Sequence, residues 1–261
     1  METTASPSRI WRFVLPVAVA ACLYVNYVYN AHPPEGALSN GEMSARHPTL
    51  ITPAGYAFSI WGVIFSGLVA YTIWQLRPAA WRTPLPDRLT PVLTLAVLVT
   101  TCWTLVFSYG HIGLSLIVML AILGLLAVAY ARARPVVLRG DAPAWPAWFL
   151  SLFLGWITLA SVLNVIFGLR NALGWEWPAP ASLAGSYGLV AVAAALGTSL
   201  GQRAHDALLP LPLAWGLAGT YVAQREAHPA LALVALGAAA VLAVGAVLSV
   251  FRKRRPVVAV G

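Results

Sequence analysis

The sequence predicts an all-α membrane protein, a polytopic helical bundle of about eight transmembrane helices. Hydrophobic residues make up 60% of its 261 residues and charged residues only 9%, whereas soluble chains are about 45–50% apolar and about 25% charged. The mean hydropathy is +0.78. The apolar residues also form continuous runs rather than the alternating pattern of a membrane barrel strand. These three observations exclude an ordinary cytosolic enzyme, a disulfide-rich scaffold and a disordered chain.

Eight apolar runs are each close to the about 20 residues that cross ~30 Å of hydrocarbon. They span roughly residues 10–30, 54–76, 90–109, 111–131, 145–168, 182–201, 207–223 and 229–251. None has a charged residue at its centre, as the cost of burying a charge in lipid requires. The first run follows basic residues as a secretory signal would, but it is too long for a signal and lacks a cleavage motif. We therefore interpret it as the first span.

The basic residues predict the orientation of these spans. If the amino terminus lies inside, all but three of the 16 Lys and Arg residues fall in inside segments. The exceptions are Arg46, Arg170 and Arg225. This bias follows the positive-inside rule and predicts cytoplasmic amino and carboxyl termini. The topology thereby explains the net charge of +8. We expect the protein to contact membrane lipid and not nucleic acid.

Catalytic and metal-binding patterns are absent from the sequence. There are no paired intramembrane carboxylates, no HExxH motif, no nucleophile elbow and no phosphate loop. His32, Glu35, Glu42 and His47 share the first outside loop but lack the spacing of metal ligands. We therefore assign no catalytic residue, no metal and no required cofactor, and we do not expect an enzyme.

Aromatic and amide side chains provide the positive indication of function. Trp156, Ala160 and Asn164 lie four residues apart and share one helical stripe. Asn26 and Asn164 are costly to expose to lipid, so they should hydrogen-bond to another helix or to a ligand. Aromatic walls with a few polar groups are typical of small-molecule sites, and helix packing is the alternative. The candidate ligand-binding residues are Tyr56, Phe58, Trp61, Trp103, Phe107, Trp156, Ala160, Asn164 and Asn26.

The chain divides into unequal parts. Residues 1–170 form an aromatic-rich five-span unit whose long first outside loop, 31–53, is expected to act as a lid. Residues 182–251 form three further spans with a single tryptophan, and 252–261 form a basic cytoplasmic tail. The GxxxG motif at Gly197–Gly201 favours packing inside the bundle, although a homodimer contact is the alternative.

Three segments place the aromatic residues in motifs. They are Pro53-Ala-Gly-Tyr56-Ala-Phe58-Ser-Ile-Trp61, Trp103-Thr104 through Phe107 and Gly110-His111, and Pro146-Ala-Trp-Phe through Trp156 to Asn164. The first resembles the Pro-Pro-x-Trp-x-Phe-x-x-x-Trp entrance to the second helix of the TspO/MBR family, the tryptophan-rich sensory or translocator proteins. The second resembles the Trp-Thr-Pro-x-Phe-Phe-Gly stretch that ends the family's third helix. The third resembles its fifth-helix Pro-Tyr-x-x-Trp region and the following Leu-Asn, and it is the most specific of the three.

The resemblance covers about residues 10–170 and implies a five-helix core with a pocket that the first loop closes. It implies binding of tetrapyrroles, sterols or other flat hydrophobic molecules, with Trp61 and Trp156 as pocket tryptophans and Trp103 as a wall. Tyr56 replaces the family's first tryptophan, Thr100 replaces its third-helix asparagine, and three further spans follow. The chain is thus similar to a longer, divergent member.

We therefore expect an integral protein of a bacterial inner membrane that binds a flat hydrophobic small molecule such as a porphyrin, a sterol-like compound or an isoprenoid. Sensing or transport of that molecule would follow from binding. The alternatives are a secondary transporter that uses all eight spans, a membrane-embedded enzyme, and a structural subunit without a pocket.

Overall fold

The computed structural model describes residues 7–47, 49–173 and 179–251, and it confirms the predicted all-α class. No strand occurs within these three ranges. The α-helices are α1 Pro7–Ala31, α2 Asn40–Arg46, α3 Ile60–Gln75, α4 Leu85–Ser108, α5 Ile112–Arg139, α6 Trp148–Leu173, α7 Ala179–Arg203, α8 Leu211–Gln224 and α9 Pro229–Phe251. Short 3-10 turns lie at Gly55–Ser59, Ala80–Arg82 and Trp145–Ala147.

Seven helices in the described ranges are long and apolar enough to cross a membrane: α1, α3 with the 3-10 turn before it, α4, α5, α6, α7 and α9. The seventh of the eight predicted spans, 207–223, is longer than the helix found there. Residues 207–210 form turns, and α8 has only 14 residues. At 1.5 Å per residue it is about 21 Å long, which is shorter than the ~30 Å of hydrocarbon. The prolines at 210 and 212 explain its late start, because proline favours the first helical positions.

Two ends of the bundle can be distinguished by their connections. The end that we call the loop end carries residues 31–54 and the turn between α4 and α5. That turn is short, as the adjacent predicted runs 90–109 and 111–131 imply, since α4 ends at Ser108 and α5 begins at Ile112. Gly110 allows it by adopting a φ of +76°, which side chains rarely permit. The connection from α7 to α8 meets the start of α6 near the opposite end.

Helix α6 occupies the centre of the bundle. It packs against α3, α5 and α8, while α4 packs between α1 and α5. Of the 18 most apolar consecutive residues in α6, 72% are buried, against 22% in α1. A side chain on α6 is therefore well placed to line an internal site, whereas α1 faces mainly outward.

The last three helices pack directly onto the preceding ones. Gly155 of α6 lies against the Leu209 carbonyl oxygen and the Pro212 ring. Gly197 of α7 lies so close to α9 that a Cβ there would be 2.8 Å from Leu242 Cδ2. The glycines of the GxxxG motif thus pack against neighbouring parts of the same bundle. Residues 174–178, between the predicted spans 145–168 and 182–201, and the basic tail 252–261 lie outside the described residues.

A buried carboxylate fixes the connection between α7 and α8. Asp206 Oδ2 accepts hydrogen bonds from Tyr130 Oη and Ser151 Oγ, each at 2.7 Å. The Arg134 guanidinium lies 3.4 Å from the same oxygen, and the Leu208 N–H donates to Asp206 Oδ1 at 2.9 Å. Because Asp206 is only 3% exposed, this cluster ties the base of α8 to α5 and α6.

Candidate functional site

A cavity of about 40 Å³ lies among α3, α4, α5 and α6 at the loop end. Its walls are mainly aromatic and aliphatic. The residues that line it are Ser44, Thr52, Pro53, Phe58, Trp61, Trp103, Phe107, Met119, Trp156, Leu159, Ala160, Leu163 and Asn164. None of these lining residues is Lys, Arg, Asp, Glu or His, so the described wall carries no charge.

The structure brings seven of the nine candidate residues together around this cavity: Phe58, Trp61, Trp103, Phe107, Trp156, Ala160 and Asn164. Helix α6 supplies three of them because the predicted stripe with four-residue spacing faces inward. That they bind a ligand stays a prediction.

Tyr56 and Asn26 lie elsewhere. Tyr56 is 45% exposed, and its ring packs edge-on against Trp215 of α8 at 5.4 Å. Asn26 Nδ2 donates to the Cys22 carbonyl oxygen at 3.0 Å, and Thr104 Oγ1 donates to Asn26 Oδ1 at 3.4 Å. Asn26 therefore joins α1 to α4. Of the two partners that the sequence analysis allowed, another helix or a ligand, the structure shows another helix.

Sequence reasoning missed several lining residues. Leu159 and Leu163 could have been found, since they lie three and seven residues after Trp156 on nearly the same face of α6. Met119 of α5 and Ser44 of α2 had no local signal. Their positions depend on how α5 is rotated and on a helix inside the predicted loop.

Aromatic contacts fix the geometry of the walls. The ring of Trp103 stacks on Phe107, with centroids 4.7 Å apart and an interplanar angle of 14°. Phe58 meets Trp156 edge-on at 6.1 Å, and Trp61 meets Phe153 edge-on at 5.6 Å. Offset stacking and edge-to-face contacts are the favoured arrangements of such rings. The walls are therefore preorganised by a stack within α4 and by contacts that join α6 to α3 and to the 3-10 turn before α3.

Two polar atoms of the lining residues are buried without a hydrogen-bond partner among the described residues: Trp103 Nε1 and Asn164 Oδ1. Trp103 is 6% exposed and Asn164 is 5% exposed. The Asn164 Nδ2 group donates to the Ala160 carbonyl oxygen at 2.9 Å, which fixes the orientation of the amide. An unsatisfied buried polar group costs about 1–3 kcal/mol. Two of the lining residues thus carry a buried donor and a buried acceptor that no described residue satisfies.

The predicted lid contains a short capped helix. The Ser39 side chain accepts from the Glu42 N–H at 3.2 Å, and the Ser39 N–H donates to Glu42 Oε2 at 2.9 Å. The Ser39 hydroxyl also donates to Glu42 Oε2 at 2.8 Å. This bond, together with the one from the Ser39 N–H, lowers the pKa of Glu42 below its ordinary value. The stabilisation is present above the ordinary pKa and is lost as the pH falls through the lowered one. Ser44 on α2, Thr52 and Pro53 line the cavity; that the loop acts as a lid stays a prediction.

The loop histidines do not form a metal site in the part of the chain that is described. No group of three or more His, Cys, Asp and Glu side chains there is placed to hold a metal ion. His32 instead contacts the hydroxyl of Tyr27 at 3.2 Å. With an uncharged lining, the arrangement is suited to binding by packing and hydrogen bonding.

Comparison with known proteins supports the resemblance seen in the motifs. The model of the family described as TSPO-like protein matches residues 12–248. The match includes every cavity-lining residue and continues through most of α9, so it also takes in the last three helices. Neither a curated protein nor a solved structure matches the chain. Since the family match covers most of the sequence, the chain belongs to the TSPO-like protein family.

Proposed function

We propose that this integral membrane protein binds an uncharged hydrophobic small molecule in the cavity at the loop end. The proposal rests on one observation: the cavity has an uncharged aromatic wall, and two residues of that wall have unsatisfied polar atoms, Trp103 Nε1 and Asn164 Oδ1. Family membership supports a hydrophobic ligand. Although α8 is short, it runs from the Asp206 turn at the opposite end of the bundle to Ile51 at the loop end, so the chain still passes between the two ends an even number of times. With the distribution of Lys and Arg, this leads us to place both termini in the cytoplasm and the protein in a bacterial inner membrane.

The size of the cavity limits how a ligand can bind. Its 40 Å³ has room for about three water-sized spheres, at about 10–15 Å³ for each. Sites that bury drug-sized ligands are about 300–1,000 Å³. Binding of a sterol, an isoprenoid or a tetrapyrrole therefore requires the walls to separate.

The unsatisfied atoms favour a particular head group. Trp103 Nε1 can only donate, and Asn164 Oδ1 can only accept. A hydroxyl group within reach of both atoms would satisfy them, because it accepts one hydrogen bond and donates another. An ionised carboxylate can accept from Trp103 but has no proton for Asn164, and no lining cation offsets its desolvation. We therefore favour an alcohol of the sterol or isoprenoid type over a tetrapyrrole whose carboxylates would have to enter the cavity.

A matched series of probes tests the proposal: all-trans-retinol, the hydrocarbon with a methyl group in place of its CH₂OH group, and retinoate. Retinol binding is measured in detergent by direct titration, with retinol's own emission as the signal. The affinities of the other two probes are measured by their displacement of bound retinol. Because the signal comes from retinol, tryptophan substitutions leave the readout unchanged. We expect retinol to bind saturably and about tenfold more tightly than the hydrocarbon, since two hydrogen bonds contribute about 0.5–1.5 kcal/mol each. Retinoate should be the weakest. Protoporphyrin IX and its dimethyl ester form a second pair, in which the uncharged ester should bind better.

Variants identify the groups responsible. Trp103→Phe and Asn164→Leu should each remove most of the preference for retinol over the hydrocarbon, whereas Trp148→Phe, at a position 55% exposed, should keep it. Equal affinity for the alcohol and the hydrocarbon in the wild-type protein would refute the role of the two polar atoms. Linear, non-saturating signals for every probe would refute the binding site itself.

A further inference from the structure

The wall of the cavity at the loop end rests on α8. Thr220 Oγ1 donates to the Ile51 carbonyl oxygen at 2.9 Å, and the Ala54 N–H donates to the Gly219 carbonyl oxygen at 3.1 Å. Trp215 Nε1 donates to the Ala57 carbonyl oxygen at 2.9 Å. Three hydrogen bonds therefore join α8 to residues 51–57, which we call the entrance segment.

Glycines on α8 make this contact close. A Cβ at Gly219 would lie 2.8 Å from Pro53 Cβ and 3.1 Å from Ala57 Cβ. Gly216 lies against Leu159 Cδ2 and near the Trp156 ring. Pro53, Leu159 and Trp156 all line the cavity, whereas no α8 residue does. Helix α8 thus supports two sides of the cavity from behind.

Both ends of α8 are anchored. At its start, the Asp206 cluster holds the preceding turn to α5 and α6. Near its end, Thr220 is 1% exposed and is bonded to the entrance segment. Because α8 is held at both ends, it moves little relative to α5 and α6. The entrance segment, which is hydrogen-bonded to α8, therefore stays against the cavity while these bonds persist.

The entrance segment is also the part of the lining that can move most easily. Residues 52–54 are neither helical nor extended into a sheet, whereas the other walls come mainly from α4, α5 and α6, which pack along their lengths. Separating those helices would expose large apolar contacts. Displacing the entrance segment breaks the three hydrogen bonds to α8 and few other backbone bonds.

We propose that Trp215, Gly219 and Thr220 of α8 are positioning residues that hold the entrance segment closed, and that a ligand enters and leaves when this segment separates from α8. The inference rests on the proposed binding function and assigns a role to α8, one of the last three helices. No α8 residue lines the cavity, so we expect the three hydrogen bonds to re-form once a ligand has entered. Weakening them should therefore accelerate entry and exit alike and leave the affinity nearly unchanged.

The first test measures rates of retinol association and dissociation by stopped flow. Thr220→Val removes the hydroxyl donor at nearly constant shape, and Trp215→Phe removes the indole N–H. We expect each to raise both rates by about 3–10-fold, the effect of one hydrogen bond, with less than about a twofold change in Kd. Thr220→Ser keeps the donor and should keep the wild-type rates.

Thr94→Val is the matched control. Thr94 is fully buried on α4, and its hydroxyl donates only to the Thr90 carbonyl oxygen of its own helix at 2.8 Å. The Thr94→Val variant should associate with retinol and release it at the wild-type rates. Unchanged rates in Thr220→Val would overturn the gating role. Faster dissociation with unchanged association would also overturn it, because the contact would then stabilise only the bound state.

A second measurement needs no ligand to bind. In a background with Cys22→Ala and Cys102→Ala, Ala160→Cys places a thiol in the cavity wall, and a small membrane-permeant maleimide reports how often the cavity opens. We expect Thr220→Val to raise the labelling rate by about 3–10-fold and Thr94→Val to leave it unchanged. An unchanged rate in Thr220→Val would contradict the gate. Failure of retinol to bind alongside faster labelling would contradict the ligand and support the gate.

Discussion

Replacing Gly155 with alanine is expected to destabilise the protein by about 3 kcal/mol, near the upper end of typical overpacking effects. The new methyl group would collide with the Leu209 carbonyl oxygen and lie 3.1 Å from Pro212 Cγ. Neither a backbone carbonyl nor a proline ring can rotate aside, so α6 and α8 would have to move apart. The measurement is the midpoint of unfolding by SDS in mixed micelles.

Gly124→Ala is the matched control for that substitution. Gly124 lies in the middle of α5, and a Cβ there has no atom within 4 Å. Alanine has the higher helix propensity by about 1 kcal/mol, so the midpoint should stay the same or rise. If Gly155→Ala unfolds at the same SDS content as Gly124→Ala, then α8 does not pack against α6 as described.

Removing the buried carboxylate should have an effect at least as large. Asp206→Ala is expected to lower the free energy of unfolding by about 3–5 kcal/mol, as the loss of one partner from a buried ion pair does. The reason is that the hydroxyls of Tyr130 and Ser151 and the guanidinium of Arg134 would lose their common acceptor. The same SDS titration measures it.

Asp141→Ala controls for the loss of any carboxylate. Asp141 also pairs with an arginine, Arg139, at 2.8 Å, but both side chains are about half exposed. Exposed pairs contribute about 0–1 kcal/mol, so this variant should unfold close to the wild-type midpoint. Equal shifts for the two aspartates would mean that Asp206 is not buried in the cluster.

Much of the fold could be predicted because the membrane imposes simple rules on sequence. Length and continuous apolarity were enough to locate the seven long helices. The same rules overestimated α8, because hydropathy extends through residues 207–210 while the prolines and the Asp206 turn delay the helix. Helix α2 had an unused signal, since Ser39 and Glu42 have the spacing of a capping box.

The candidate site could be predicted where its residues share one helix. Trp156, Ala160 and Asn164 line the cavity because their spacing matches the helical repeat. Tyr56 does not, because α8 covers that side and Trp215, 159 positions along the chain, provides its partner ring. Contacts between residues so distant in sequence leave no periodic pattern. The role of α8 behind the cavity could not be predicted for the same reason.

The most direct test of the central claim, that the aromatic cavity binds a hydrophobic molecule, is to fill the cavity. Ala160 lies in its wall, so the ring of Ala160→Phe would occupy the space that a ligand needs. We predict that this variant binds retinol at least about tenfold more weakly, a loss of about 1.4 kcal/mol, while Ala127→Phe, at an exposed position on α5, binds it normally. Wild-type affinity in Ala160→Phe would contradict binding in this cavity.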